Sequence, residues 1–252
     1  MLEICALASG SNGNCYYIGN EQEAVLIDGG IYYKHLINRL KEANLDPVKI
    51  KAIYVTHEHT DHMMGVKVCS KRMYIPVYFT KKTFRHIPRK EKPDMVGFFE
   101  AGSPQFLGNL IIRPFRKMHD AADPCSFRIE FQNKNVGVFT DIGMPDESLK
   151  REFSKCDAVF LETNYDLEML WNGTYPDYLK KRIDSDTGHL SNNQALELAQ
   201  NYASPSLKYI FLSHISAENN SIERVQEIFS SLNNKYSVIP TSRHGISEVI
   251  RI

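Results

Sequence analysis

The sequence predicts an α/β fold in which two packed β-sheets carry helices on their outer faces. Three observations point there. Short runs rich in β-branched and aromatic residues, separated by Gly, Asn and Ser turns, crowd the start of the chain: "EICALA" (3–8), "CYYI" (15–18) and "AVLID" (24–28). Further on, strand-like and helix-like segments alternate, as expected of sheet layers covered by helices. Hydrophobic residues make up 42% of the 252 residues, enough for a sizeable core.

The elements follow in order. Residues 31–43 carry Ile31, Leu36, Ile37 and Leu40 at roughly helical spacing and stop at "NLDP". "KAIYVT" (51–56) reads as a buried strand. Strands are also expected at 76–79, 105–117, 126–132, 136–140, 156–162 and 208–213. A helix over 191–203 presents Ala195, Leu196, Leu198, Ala199 and Tyr202 on one side, and a second over about 221–232 presents Val225, Ile228, Phe229 and Leu232. Ser191 and Gln194 form an S-x-x-Q capping box, so the first of these helices should begin at about Asn192. No Pro/Ser-rich linker divides the chain, and residues 1–252 are expected to form a single domain. The best candidate for an excursion is 81–94, with the cations Lys81, Lys82, Arg85, Arg89, Lys90 and Lys92 against Glu91 and Asp94. Such a run is either a solvated face or an arm that contacts phosphates.

Composition narrows the function. Thirty basic and thirty acidic residues give a net charge of zero, so a nucleic-acid partner must be met by a local patch. The N-terminal stretch lacks a basic segment and a long apolar run, so no signal peptide is expected, and no membrane span is expected elsewhere. Five cysteines without a C-x-x-C pair fit a reducing, cytoplasmic setting and argue against a disulfide framework or a Cys-built zinc site.

The sharpest feature is "YVTHEHTDHMMG". His57 and His59 should point to one side at the end of a strand while Glu58 points away, and Asp61 and His62 follow at once. Imidazoles and carboxylates suit Zn, Mn or Fe. Downstream, His119, Asp141 and His214 each stand where an apolar strand runs out into a loop. His35 and His86 read as surface or packing residues, and His244 could border a cleft. Asp28, in "LIDGG", is either a turn former or the partner of a ligating histidine.

H-x-H-x-D-H after a strand resembles the signature of the metallo-β-lactamase superfamily. The resemblance implies an αββα sandwich, two packed mixed β-sheets with helices on the outer faces, and metals held in loops at one edge of the sheets. It further implies two divalent ions, one held by His57, His59 and His119 and one by Asp61, His62 and His214, with Asp141 bridging. No cysteine replaces Asp141, unlike the antibiotic-hydrolysing enzymes with a Cys ligand. His59 stands where the flavin-linked di-iron branch has Glu. The phrases "LASGSNGNCYYI", "HDAADP", "LETNYDLEMLWNGTYP", "SDTGHLSNNQA" and "LSHISAENN" resemble the YycJ/WalJ family, related to RNase Z-like phosphodiesterases. That implies a metal-dependent 5′-to-3′ exonuclease acting on double-stranded DNA and linked to DNA repair. Tyr165 stands where that family is expected to have His.

The chemistry can be argued separately. Two ions about 3.5–4 Å apart can share a water, lower its pKa towards about 7, and neutralise charge growing on a phosphate. Asp61 is both a ligand and a candidate acceptor of a hydrogen bond from that water. His189, after the flexible Gly188 and ahead of the helix start, is read as a contact to the substrate phosphate or a catalytic acid, with a packed histidine as the bland alternative and a metal ligand as the remaining one. Substrate contacts are expected from Asn14, Ser191, Ser216 and Asn219. The alternative function is a small-molecule metallo-hydrolase of the same fold, cleaving a thioester or lactone in the manner of glyoxalase II. A non-catalytic binding domain is disfavoured because all the ligand positions are filled.

Overall fold

The computed structural model describes residues 1–252. One seven-stranded sheet is built from β1 (Glu3–Ala8), β2 (Cys15–Gly19), β3 (Ala24–Ile27), β4 (Ile50–Tyr54), β5 (Val77–Phe79), β6 (Val96–Phe98) and the C-terminal β14 (Ile250–Arg251). The other seven-stranded sheet is built from β7 (Gln105–Leu107), β8 (Leu110–Arg116), β9 (Cys125–Phe131), β10 (Lys134–Phe139), β11 (Ala158–Glu162), β12 (Tyr209–Ser213) and β13 (Ser237–Pro240). The helices are α1 (Tyr33–Glu42), α2 (Thr60–Met63), α3 (Val66–Met73), α4 (Lys81–His86), α5 (Glu147–Phe153), α6 (Leu167–Asn172), α7 (Asp177–Ile183), α8 (Asn192–Tyr202) and α9 (Ile222–Phe229).

Both faces of each sheet are buried, which is why the strands read as nearly continuous apolar runs. In β1, Ile4 and Ala6 enter the core between the sheets, while Cys5 and Leu7 face the helices of the first half. In β12, Phe211 points between the sheets, while Ile210 and Leu212 face Leu198 of α8 and Val225 of α9. Alternation with period 2 thus splits the apolar residues into a central core and two outer ones.

The capping box is present: Gln194 N donates to Ser191 Oγ and Ser191 N donates to Gln194 Oε1 (3.0 Å), so α8 starts at Asn192. The segment 105–117 is a hairpin rather than one strand, because Gly108 adopts φ +53 in a turn between β7 and β8. The helix expected to about 232 ends as α9 at Phe229 and continues as a 3₁₀ turn over Ser230–Leu232. The segment 81–94 is no excursion. Thr80 caps α4, Thr83 and Ile87 are buried, and the chain returns through a 3₁₀ turn to β6 at the sheet edge. Lys81, Lys82, Arg85, Arg89 and Lys90 face solvent.

β1, β3 and β4 run in one direction within the first sheet, and β8, β10, β11 and β12 run in one direction within the second. The loops at their carboxyl ends therefore meet on one edge of the sandwich, the usual place for a ligand in a sheet of parallel strands.

Candidate metal centre

Each metal-ligating candidate lies just past a strand of that edge. After β4, residues 55–59 leave the strand and α2 begins at Thr60, so His57 and His59 lie in the loop and Asp61 and His62 in the first turn of the helix. His57 and His59 converge, with Nε2 to Nδ1 at 3.0 Å, while Glu58 turns away to accept a hydrogen bond from Ala122 N at 2.8 Å. His119 follows β8, Asp141 follows β10 and His214 follows β12.

The ligand atoms of His57, His59 and His119 lie within 4.8 Å of one another, and so do those of Asp61, His62, Asp141 and His214. Asp141 stands between the two groups, with Oδ2 3.2 Å from His62 Nε2 and Oδ1 3.9 Å from His119 Nε2. His119 Nε2, Asp141 Oδ2 and His214 Nε2 are buried and have no hydrogen-bond partner. Buried polar atoms are normally satisfied, and an ion is one explanation when several unsatisfied ones converge. The donor set of imidazoles and carboxylates fits borderline divalent ions.

Other residues hold these rings in place. His57 Nδ1 is 2.8 Å from Thr56 Oγ1 and His119 Nδ1 is 3.0 Å from Gly188 O. His62 Nδ1 is 2.7 Å from Asp28 Oδ2 and His214 Nδ1 is 2.8 Å from Glu162 Oε1. Tying Nδ1 turns Nε2 towards the centre and sets the tautomer. Asp28 thus takes the orienting role, and also accepts hydrogen bonds from Thr56 N and Oγ1. Asp28, Asp141 and His214 all adopt left-handed backbone, at φ 63, 55 and 56. Such a conformation costs a non-glycine residue roughly 1–2 kcal/mol, and here it re-aims three side chains at the same edge. Gly30 is needed for close approach: a Cβ there would stand 1.6 Å from Asp61 O.

The two groups differ in charge. Burial holds His57 well below its ordinary value and pushes His119 down to about 3, so both are neutral with a lone pair to offer. Burial opposes a charge on His214 too, but Asp141, Asp61 and Glu162 push it up to about 10. Burial raises Asp61, yet His62 and His214 hold it well below the carboxylate range. Burial also raises Glu162, which His189 and His214 bring down to about 2.

The region 24–215 matches the family model described as Beta-lactamase superfamily domain. The chain belongs to the metallo-β-lactamase superfamily. Within it, the chain is 33% identical to Exodeoxyribonuclease YycJ of Bacillus anthracis, over 100% of this chain and 94% of that one. It is 34% identical to Exodeoxyribonuclease WalJ of Streptococcus pneumoniae serotype 2 (strain D39 / NCTC 7466), over 85% of this chain and 81% of that one. The crystal structure of the metallo-β-lactamase fold protein YhfI from Bacillus subtilis superposes with a TM-score of 0.73 at 14% identity, covering 98% of this chain and 99% of that one, which is a likeness of fold. The αββα sandwich expected from the sequence is the superfamily's architecture.

A cleft of about 240 Å³ opens over the clusters, lined by His59, Asp61, Asp141, His189, His214 and Ser216 among others. Three expected substrate contacts do not line it. Asn14 is fully buried and its Nδ2 lies 3.2 Å from both Asp61 Oδ2 and His62 Nε2, so it braces those side chains. Ser191 is occupied as the cap of α8, and Asn219 is 1% exposed beneath the surface. Ser216 alone of that set reaches the cleft. The basic residues of 81–92 do not line it either. His189 does, with Nδ1 2.9 Å from Glu162 Oε1. Glu162 is ionised, so the shared proton sits on Nδ1 and His189 Nε2 is the free atom. Gly188 is required there by contact, since a Cβ would meet Arg182 O at 2.2 Å. Tyr165 is 1% exposed and its hydroxyl donates to Asp184 at 2.6 Å, outside the cleft lining, so it grips no phosphate.

Sequence reasoning missed Glu162, the buried carboxylate joining His189 to His214 and accepting hydrogen bonds from Ile142 N and Leu190 N. The available signal was a charged residue closing the apolar run "AVFLE". It also missed Lys117, 4% exposed, whose Nζ donates to Thr140 O at 2.7 Å beside Asp141.

Proposed function

We propose that this chain is a dinuclear metal-dependent phosphodiesterase, a 5′-to-3′ DNA exonuclease with a role in DNA repair. The observation that carries the reading is Asp141 standing between a histidine triad and a carboxylate-rich cluster. The sequence identity to two exodeoxyribonucleases also supports it. His57, His59 and His119 would hold one ion and Asp61, His62 and His214 the other, with Asp141 shared. Zn, Mn and Fe all suit this donor set. Bound there, divalent ions supply a water of lowered pKa and neutralise charge on a phosphate.

The protein's own groups do the rest. Asp61 is placed to accept a proton or hydrogen bond from the attacking water. His189 Nε2 faces the substrate, while Glu162 fixes its ring and stabilises a positive charge on it. That pairing suits a donor to the phosphate or to the leaving oxygen. Ser216 adds a hydroxyl at the rim.

All five cysteines are free and buried, which agrees with a reducing, cytoplasmic setting, and no helix is long and apolar enough to cross a membrane. With Mn²⁺, the purified protein is expected to degrade a 5′-phosphorylated duplex, and His59→Ala to abolish this. Full activity in that variant refutes the metal assignment. Cleavage of RNA or of a thioester in preference to DNA refutes the substrate assignment.

A further inference from the structure

The loop 9–14 separates the metal cleft from a second cavity. Ser11 lines the cleft, whereas Asn12 lines a cavity of about 450 Å³ on the other side of the loop. That cavity is walled by Asn12, Tyr32, His35, Arg39, Arg243 and His244 together with small and apolar residues, and no acidic side chain lines it. The loop itself is held rigidly: Asn14 N donates to Asp61 O and Gly30 N to Asn14 O, both at 2.8 Å. Its tip residues Ser11 and Asn12 are exposed. A second connection runs through a groove that shares Ser216 with the cleft, and Arg243 and His244 with the cavity.

The two guanidinium groups are posed rather than loose. Arg39 donates to Leu7 O at 2.8 Å and to Arg243 O at 3.2 Å, and Arg243 donates to Ile215 O at 3.3 Å. Every one of these partners is a neutral backbone carbonyl. Elsewhere on this protein arginines meet carboxylates, as Arg113 does Glu130 and Arg224 does Asp166. Half-buried, fixed guanidinium groups with no counter-charge are suited to a phosphate, which they can grip by more than one N–H. Beside them Tyr32 is 59% exposed, and its ring lies 6.5 Å from that of His35 at 42°. An exposed aromatic next to cations is the combination that holds unpaired bases by stacking and their phosphates by charge.

We infer that this cavity is a subsite for the nucleic-acid strand, taking a backbone phosphate on Arg39 and Arg243 and a base against Tyr32 and His35. The inference rests on the nuclease reading, because it needs a polymeric substrate reaching beyond the cleft. It also gives the neutral protein a local cationic site beside the clusters, where the basic run of 81–92 supplies none.

The test uses metal-loaded protein and a fluorescent, phosphorothioate single-stranded oligonucleotide, with anisotropy as the readout. Arg243→Gln and Tyr32→Ala are each expected to weaken binding by about tenfold. Arg243→Gln should also flatten the salt dependence by about 0.7 in slope, whereas Tyr32→Ala should leave that slope alone. The exposed Tyr32 side chain makes no hydrogen bond within the protein, so its variant remains informative if the arginine variant fails to fold. Wild-type affinity and slope in both variants overturn the subsite, even if the protein digests DNA. Weakened binding in both variants of a protein whose wild type leaves DNA intact would uphold the subsite and overturn the nuclease reading. A wild type that neither binds nor digests the strand overturns both.

Discussion

The two ligand groups at the sheet edge are built from opposite materials. His57, His59 and His119 form an all-imidazole triad, two of whose rings, His57 and His119, are kept neutral by burial; a hydroxyl and a backbone carbonyl steady them and Lys117 faces them. Asp61, His62, Asp141 and His214 form a charged cluster backed by two further carboxylates, Asp28 and Glu162. In the first group His57 and His119 offer lone pairs without attracting protons. The second concentrates negative charge, which burial makes costly unless a cation offsets it. Such a difference allows one site to be preformed while the other depends on charge compensation.

The largest effect is expected where the two groups meet. Asp141→Asn keeps the left-handed backbone accessible but removes the shared charge, and turnover should fall by about 10³-fold. Metal analysis should show loss from the carboxylate cluster first. Retention of two ions with normal turnover would remove Asp141 from its shared role. Next, His189→Ala should lower turnover by about 10²-fold while leaving metal content intact, as befits a group acting on substrate. Loss of an ion from that variant would instead make His189 a ligand.

A smaller effect separates the supports of the two groups. Asp28→Asn acts directly on His62 and reaches His57 only through Thr56, so affinity at the carboxylate cluster should fall by about 10- to 100-fold and that of the triad by less. Titration of metal-depleted protein with Zn²⁺ would show two phases, the one at the carboxylate cluster weakened more; equal weakening would remove the distinction between the supports. The mildest test is protonic. His214, pushed up to about 10, carries a proton at pH 7 that a metal must displace, whereas His119, pushed down to about 3, carries none. His62 is raised as well, so affinity at the carboxylate cluster should rise by at least about tenfold per pH unit between 7 and 9, a rise to which His57 and His119 add nothing. Calorimetry in buffers of different ionisation enthalpy reads the released proton directly; equal release from both groups would erase the distinction.

Some of this was legible in the linear chain. His57, His59, Asp61 and His62 fall within six residues because one loop and one helical turn place them, and local spacing is visible in a sequence. The cap of α8 is likewise a contact between Ser191 and Gln194, three residues apart. The short helices α2, α4, α5, α6 and α7 have 4 to 7 residues, too few turns for a periodic signal, and were not read. Asn14 was read as a substrate contact because its exposure depends on Asp61, 47 positions away.

By itself, then, the sequence determined the alternation that splits apolar strands between three cores, the metal-ligand motif, and the helix start beside His189. Those are local patterns of period and spacing. Only the tertiary structure decided which side chains face the cleft, that Glu162 joins His189 to His214, and that Arg39 and Arg243 share a cavity. These pairs lie between 27 and 204 residues apart in the chain, Glu162 to His189 at 27 and Arg39 to Arg243 at 204. Their proximity follows from how the sheets stack, which no single stretch of chain encodes.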